Sequence, residues 1–279
     1  MSYTTTGPST STEAEIPFGA LPENGERAWA NINADATGQR LRNYEMVPHT
    51  IPIQNWRESK DIALDVTGFQ LGTRPTNFIK DGEVDVENYY QESINLIKEI
   101  TGATRVELFD HTIRRRRPEV LEDTPDKRQP VASAHVDQTP KSAEARVHRH
   151  LPAEDVPKLL ANRYQLINLW RPIRHPAWDW PLALCDYRSV DAQKDVQPVA
   201  LIYPDREGET YSVQFNPNQR WGYFRGMSPD EFVLIKCFDS IRDGSVAQFT
   251  PHTGFADPKT PQDAPFRESI ELRALVFYD

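Results

Sequence analysis

Tyr164-Gln165-Leu166-Ile167-Asn168-Leu169-Trp170, closed by Arg171-Pro172, opens the part of the chain whose texture decides the fold. The run is short, apolar and rich in β-forming side chains, and the proline stops it. Val199–Tyr203, Tyr211–Asn216, Trp221–Arg225, Phe232–Phe238, Val246–Phe249 and Ser269–Tyr278 follow it, separated by Pro, Gly and Asp turns. Strands at this spacing predict a mainly β fold, a sandwich or a double-sheet barrel such as a jelly roll, with flanking helices.

Upstream the period changes. Val86, Tyr90, Ile94 and Ile97 recur at helical spacing over Asp85–Ile100, and Gly102 follows as a terminator. Thr104–Thr112 alternates and reads as a strand. A second helical region spans about Lys141–Ala161, broken near Pro152. These helices are expected to pack on the outer face of one sheet. Regular βαβ alternation is missing, which disfavours a Rossmann-type arrangement. Residues 1–14 lack hydrophobic periodicity and read as a flexible tail, leaving 15–279 as a single domain. The 23 prolines are expected in turns and loops between short elements.

The net charge of −9 argues against nucleic acid or an anionic membrane surface as partner, since both are polyanions. Arg114-Arg115-Arg116-Arg117 is the local exception. It reads as a solvated strand end or, alternatively, as an anion-attracting rim at a pocket mouth. Two cysteines, Cys185 and Cys237, cannot make a disulfide framework, so a reducing, cytoplasmic setting is expected. Neither a signal peptide nor a membrane-length apolar stretch is visible.

The chemistry is carried by Ser133-Ala134-His135-Val136-Asp137-Gln138-Thr139. In an extended chain residues i and i+2 point to one side, so His135 and Asp137 can aim an imidazole and a carboxylate at one point. A second histidine would complete a two-histidine, one-carboxylate set that holds iron(II) on one face and leaves other positions open. Such ligands also suit other divalent metals, and an H-x-D alone is equally a surface pair. His252, in Thr250-Pro251-His252-Thr253, stands beside the expected strand Val246–Phe249, as a ligand at a barrel mouth would. His111 competes with it; His49, His148, His150 and His175 fit less well. In the last strand Arg267, Ser269, Glu271 and Arg273 share one face. A buried arginine needs an anion, which a dicarboxylic cosubstrate supplies through paired charged hydrogen bonds. The alternative is a surface strand in which Glu271 neutralises a neighbouring arginine.

Five blocks together resemble the mainly fungal hydroxylase/desaturase family, which includes gibberellin desaturase-like proteins and is related to a component of the cephamycin 7α-methoxylase system. They are His135–Thr139, Tyr164–Pro172, Asn216–Asp239, Pro251–Thr253 and Arg267–Tyr278, within a resemblance running from about Asp85 to the C-terminus. It implies a double-stranded β-helix oxygenase using Fe(II), 2-oxoglutarate and O2, with His135, Asp137 and His252 as iron ligands. It implies Arg267 and Ser269 as the pair holding the far carboxylate of 2-oxoglutarate. The Pro-rich interval after His252 departs from the family's spacing and keeps Arg273 open as anchor; Asn168 is a further cosubstrate contact. The reaction implied is hydroxylation, desaturation or oxidative cyclisation of a small molecule, of the kind met in specialised metabolism. Trp178-Asp179-Trp180 is a candidate pocket mouth, suggesting an apolar or aromatic substrate. Two other readings stay open: a cupin-like dioxygenase that uses no 2-oxoglutarate, and an inactive barrel that only binds.

Overall fold

The computed structural model describes residues 11–34, 37–120 and 124–278. Its first strands are β1 (Ser11–Ala20), β2 (Trp29–Asn31), β3 (Glu45–Asn55) and β4 (Phe69–Thr73). A small hairpin, β5 (Ile79–Lys80) with β6 (Glu83–Val84), leads into helix α1 (Val86–Thr101) and strand β7 (Arg105–Arg115). The short β8 (His135–Val136) precedes helices α2 (Pro140–His150) and α3 (Val156–Ala161). The C-terminal half supplies β9 (Tyr164–Pro172), β10 (Leu182–Cys185), β11 (Val196–Ile202) and β12 (Glu207–Val213). It ends with β13 (Trp221–Tyr223), β14 (Glu231–Asp239), β15 (His252–Gly254) and β16 (Glu268–Phe277).

Two sheets face each other in a jelly roll. The larger has nine strands in the order β1-β3-β13-β10-β15-β8-β12-β11-β2, the smaller five in the order β4-β14-β9-β16-β7. Strand alternation sorts the apolar side chains into layers. Leu166 and Trp170 of β9, Val233 and Ile235 of β14 and Leu275 of β16 meet Leu182 and Leu184 of β10 between the sheets. The intervening Ile167, Leu169, Leu234, Leu272 and Ala274 point the other way, against Tyr89, Leu96 and Ile97 of α1. Strand β9 is therefore buried at every position, which explains why it reads as a continuous apolar run.

Helix α1 forms where expected: the Asp85 side chain accepts the Asn88 N–H, and Gly102, at φ 72°, closes the C-terminus by donating to the Lys98 carbonyl. Helix α2 starts at a capping box in which Thr139 and Ser142 satisfy each other's backbone N–H, with Pro140 in the first turn. α1 covers the outer face of the small sheet, as predicted. α2 and α3 do not: Ala143, Val147, Val156 and Leu159 enter the core between the sheets.

Other expectations are corrected. Residues 11–14, assigned to a flexible tail, belong to β1, where Thr12 and Ala14 are buried and Ser11 and Glu13 exposed; residues 1–10 lie outside the described residues. The alternation of buried and exposed positions runs from Ser11 through Pro17 to Phe18. Prolines also occur within strands: Pro17 of β1 faces Pro48 of β3, and Pro52 faces Glu13, on the edge pair of the large sheet. An edge strand leaves one row of backbone groups unpaired, so a missing N–H costs little there. Val246–Phe249 is not a strand; the strand is β15, which begins at His252 itself.

The small sheet is fastened at one end by a buried charge network. Asp239, on β14, accepts hydrogen bonds from Lys236 Nζ at 2.9 Å, Arg163 Nη2 at 2.7 Å and Gln165 Nε2 at 2.7 Å. The Lys236 and Asp239 side chains are fully buried. Lys236 and Arg163 also share the half-exposed Asp65, so removing Asp239 leaves two cations on that single carboxylate at the edge of the interior. Asp239→Ala is expected to cost about 3–5 kcal/mol, whereas Arg74→Ala, which breaks an exposed pair with Glu99, costs about 1 kcal/mol or less. Denaturant midpoints of the two variants check this.

Candidate metal centre

β8 and β15 are antiparallel neighbours, and His135 lies directly opposite His252 across the pair. Their ring centroids are 4.4 Å apart. Each ring is held by the backbone in the same way. His135 Nδ1 donates to the Ser133 carbonyl at 2.8 Å, and His252 Nδ1 donates to the Thr250 carbonyl at 2.9 Å. A carbonyl can only accept, so the proton sits on Nδ1 and both Nε2 lone pairs face inward. Asp137 Oδ1 completes the group, 3.4 Å from His135 Nε2 and 3.9 Å from His252 Nε2. The three ligand atoms all lie within 4.8 Å of one another. Two imidazoles and one carboxylate form a donor set suited to a divalent first-row metal.

Charge is arranged to keep Asp137 ionised. Burial alone would raise its carboxyl, but the His135 contact, His252 and Arg273 outweigh burial and hold it well below the usual carboxylate range. Its second oxygen accepts from Asn168 Nδ2 at 2.7 Å, and Arg273 Nε stands 3.8 Å away. Burial, followed by the neighbouring His135, lowers the His252 imidazole and keeps it neutral. A neutral His252 and an ionised Asp137 are in the protonation states a metal requires.

The two candidate arginines are treated differently. Arg273 is saturated: Nη1 donates to Asp110 at 2.9 Å and to Thr112 Oγ1 at 3.1 Å, while Nη2 donates to Glu271 at 2.9 Å. Those carboxylates overcome burial and raise its affinity for the proton. Glu271 thus neutralises an arginine, as one reading held, but inside the barrel rather than on its surface. Arg267 is 2% exposed and has no carboxylate on its guanidinium. Nη1 donates to the Trp180 carbonyl, Nε has no partner, and Trp170 lies under it with the ring centroid 5.6 Å away. Burial pushes it down to about 9, so it stays charged at neutral pH. Gly254 lies beside it, where a Cβ would crowd the Val131 carbonyl at 3.0 Å and touch Arg267 Nη1 at 3.4 Å. Ser269, two residues on, is also buried.

A cavity of about 440 Å³ opens on His135 and Asp137, within the size range of small-molecule sites. It is walled by α2, β12 and the end of β7, with Arg273 at its base. Trp178, Asp179 and Trp180 do not line it. Instead Asp179 accepts from the Arg267 N–H and from Arg116, so the loop braces Arg267. Within the arginine run, Arg114 lines the cavity, Arg115 pairs with Glu268, and Arg116 lies over Trp180 and Phe266. His111 is removed as a ligand, because it pairs with Leu272 and bonds Tyr90 on the α1 side of the sheet. His49 stacks on Phe215 and His150 on Phe109; His148 stands exposed beside Glu144, and His175 bonds the Pro176 carbonyl. Asp110, Thr112 and Asp179 were not foreseen. They hold arginines rather than a metal; β7 and β16 pairing brings Asp110 and Thr112 into place, and the loop before β10 brings Asp179.

A family model described as the oxidoreductase/YMDC permease-like domain matches residues 16–277. No helix among the described residues is long and apolar enough to cross a membrane. The chain is 36% identical over 241 residues to the hydroxylase/desaturase efuI of Hormonema carpetanum, covering 78% of this chain and 80% of that one. It is 32% identical over 259 residues to the Fe(II)/2-oxoglutarate-dependent dioxygenase nvfI of Aspergillus novofumigatus, covering 86% and 87%. Superposed on the solved iron and alpha-ketoglutarate-dependent endoperoxidase NvfI, it gives a TM-score of 0.85 at 28% identity over 97% of this chain and 99% of that one. The likeness thus extends well upstream of Asp85.

The hydrogen bond from Asn168 fixes the Asp137 carboxylate that faces both histidines. Asn168→Ala is expected to weaken metal binding about 10–100-fold, while His135→Ala abolishes it. Anaerobic titration with ferrous ion, followed by calorimetry, separates these outcomes.

Proposed function

The chain belongs to the fungal hydroxylase/desaturase family and is an iron(II)- and 2-oxoglutarate-dependent oxygenase; we propose that His135, Asp137 and His252 hold its metal and Arg267 its cosubstrate. The observation that carries the metal assignment is the convergence of two inward Nε2 atoms on one ionised carboxylate oxygen. Iron(II) with 2-oxoglutarate and O2 supplies oxidative decarboxylation, giving succinate and carbon dioxide and oxidising a C–H bond of the substrate.

The chain's own residues position and shield. His135 and His252 cannot rotate without losing their bonds to Ser133 and Thr250, so the metal position is set before it is filled. Asn168 and Arg273 fix Asp137 and hold its charge. Asn168 is therefore an orienting residue for a ligand rather than the cosubstrate contact first expected. Arg267 supports the anchor role better than Arg273, because a buried guanidinium without a carboxylate is complete only when an anion arrives. Ser269 stands on the same face of the strand as a second donor. The family and the buried Arg267 speak for a 2-oxoglutarate enzyme over a cupin-like dioxygenase, and the intact ligand set speaks against a binding-only barrel. The substrate is a small organic molecule that enters the cavity over His135 and Asp137, and hydroxylation, desaturation and oxidative cyclisation are the outcomes open to it. Neither cysteine of the described chain is in a disulfide, which fits a cytoplasmic enzyme.

Arg267→Gln is expected to raise the 2-oxoglutarate concentration required by about 10–100-fold, the loss of one charged hydrogen-bonded pair. Arg273→Gln should act mainly on metal retention, through Asp137 and Glu271. The reverse pattern in cosubstrate binding isotherms would reassign the anchor. Succinate released in step with 2-oxoglutarate and oxygen consumption tests the activity itself; aerobic turnover without succinate would favour the cupin-like chemistry.

A further inference from the structure

The cavity over the metal centre is strongly cationic, in a chain whose net charge is −9. Among the described residues nine Arg and Lys side chains line it against four carboxylates. The carboxylates are taken up by other cations than those on the last turn of α2. Asp110 and Asp137 face Arg273, Glu209 stands beside both Lys141 and Arg27, and Glu207 pairs with Arg27, which is not in the cavity wall. Filling the metal centre with a divalent cation adds further positive charge.

The cations are also placed rather than scattered. Helix α2 turns Ala143 and Val147 into the core and Lys141, Ser142, Ala145, Arg146 and Arg149 toward the cavity. Arg146 is half-buried, with its guanidinium 5.2 Å from the centre of the Phe109 ring. Burial, together with Arg273 and Arg149, makes its charge costly, and only Asp110 and Tyr203 act in its favour. Neither Arg146 nor Arg149 makes an ion pair or a hydrogen bond to a carboxylate among the described residues. Arg149 is exposed at the rim and Arg146 half-buried below it; arginines at a cavity wall without a carboxylate in contact attract anions, since the low-dielectric walls focus their field. The expectation of an apolar or aromatic pocket lined by Trp178 and Trp180 is not met by this wall.

We propose that the substrate is an organic anion, whose carboxylate or phosphate oxygens are taken by Arg146 and Arg149 while its carbon skeleton lies over His135 and Asp137. The inference rests on the oxygenase reading for the identity of the cavity and deepens it by naming the substrate class. The guanidinium fork matches both oxyanions, with two parallel charged hydrogen bonds per group. Two residues connect Arg146 to Asp137: Asp110, which acts on its charge, and Arg273, which pairs with Asp110 and stands beside Asp137. Anchoring the anion there would fix which carbon of a small substrate faces the metal.

The test uses the full chain, metal-free and again loaded with zinc and saturating 2-oxoglutarate, so that nothing turns over and the cosubstrate position is filled. Naphthalene-2-carboxylate, 2-naphthyl phosphate and methyl naphthalene-2-carboxylate are titrated by calorimetry. We expect at least one anion to bind about tenfold or more tighter than the neutral ester. That preference should shrink with added salt and disappear in an R146Q/R149Q double variant, while Arg146→Lys retains part of it. The better of the two anions identifies carboxylate or phosphate. Equal binding of ester and anions, no binding of either anion, or an anion preference untouched in the double variant overturns the proposal. So does loss of 2-oxoglutarate binding in the double variant, which would hand these arginines to the cosubstrate. Failure of the oxygenase reading shows separately, as failure of the zinc-loaded chain to take up 2-oxoglutarate, and leaves the anion preference of the metal-free chain unaffected.

Discussion

The pairing of β8 with β15 is the constraint on which the site depends. It sets His135 opposite His252 in an antiparallel ladder, and residues so paired stand close enough to share one ligand. The i+2 alternation then brings Asp137 to the same side as His135. Neither strand is long: β8 has two residues and β15 three. They are held in register by their neighbours, β12 on one side and β10 on the other. The ring bonds to Ser133 and Thr250 fix the remaining freedom. A one-residue slip would turn one imidazole to the other face.

Around that point the protein buries an unusual amount of charge, and the way each charge is settled separates structure from function. Arg273 is surrounded by Asp110, Glu271 and Asp137 and serves to keep a ligand carboxylate in place. Lys236 and Asp239 settle each other within the small sheet. Arg267 is different, because its surroundings offer a carbonyl and an aromatic face but no anion. Asp179 spends its carboxylate on the Arg267 backbone N–H and on Arg116. A group kept charged yet incomplete in the interior is costly, and a bound anion removes that cost. Arg146 and Arg149 show a weaker form of the same arrangement at the cavity wall.

Much of this was legible in the residues. β9, β14 and β16 stand out because one or both faces are buried, and α1 is marked by Asp85 and Gly102 at its ends. The H-x-D and His252 were readable as candidates, yet nothing local says that they meet. That depends on β8 and β15, both too short to show a period. The N-terminal strands were missed for a different reason: Pro17, Pro48 and Pro52 read as strand breakers, although Pro17 and Pro52 occupy outward positions in phase with the alternation. The choice between Arg267 and Arg273 could not be read from one strand, since the residues that decide it, Asp110, Thr112 and Asp179, come from elsewhere in the chain. The place of the pocket mouth could not be read for the same reason. Trp178 and Trp180, in a proline-flanked loop, suggested it, but Trp178 lies against Arg225, the Trp180 carbonyl holds Arg267, and the cavity wall is built by α2 and β12.

An anaerobic crystal structure with iron(II) and 2-oxoglutarate, with anomalous data collected at the iron edge, tests the central claim most directly. The account predicts one iron peak bounded by His135 Nε2, His252 Nε2 and Asp137 Oδ1, with the far carboxylate of 2-oxoglutarate on Arg267. An iron peak elsewhere, or 2-oxoglutarate held by Arg273 or by the α2 arginines, would contradict it.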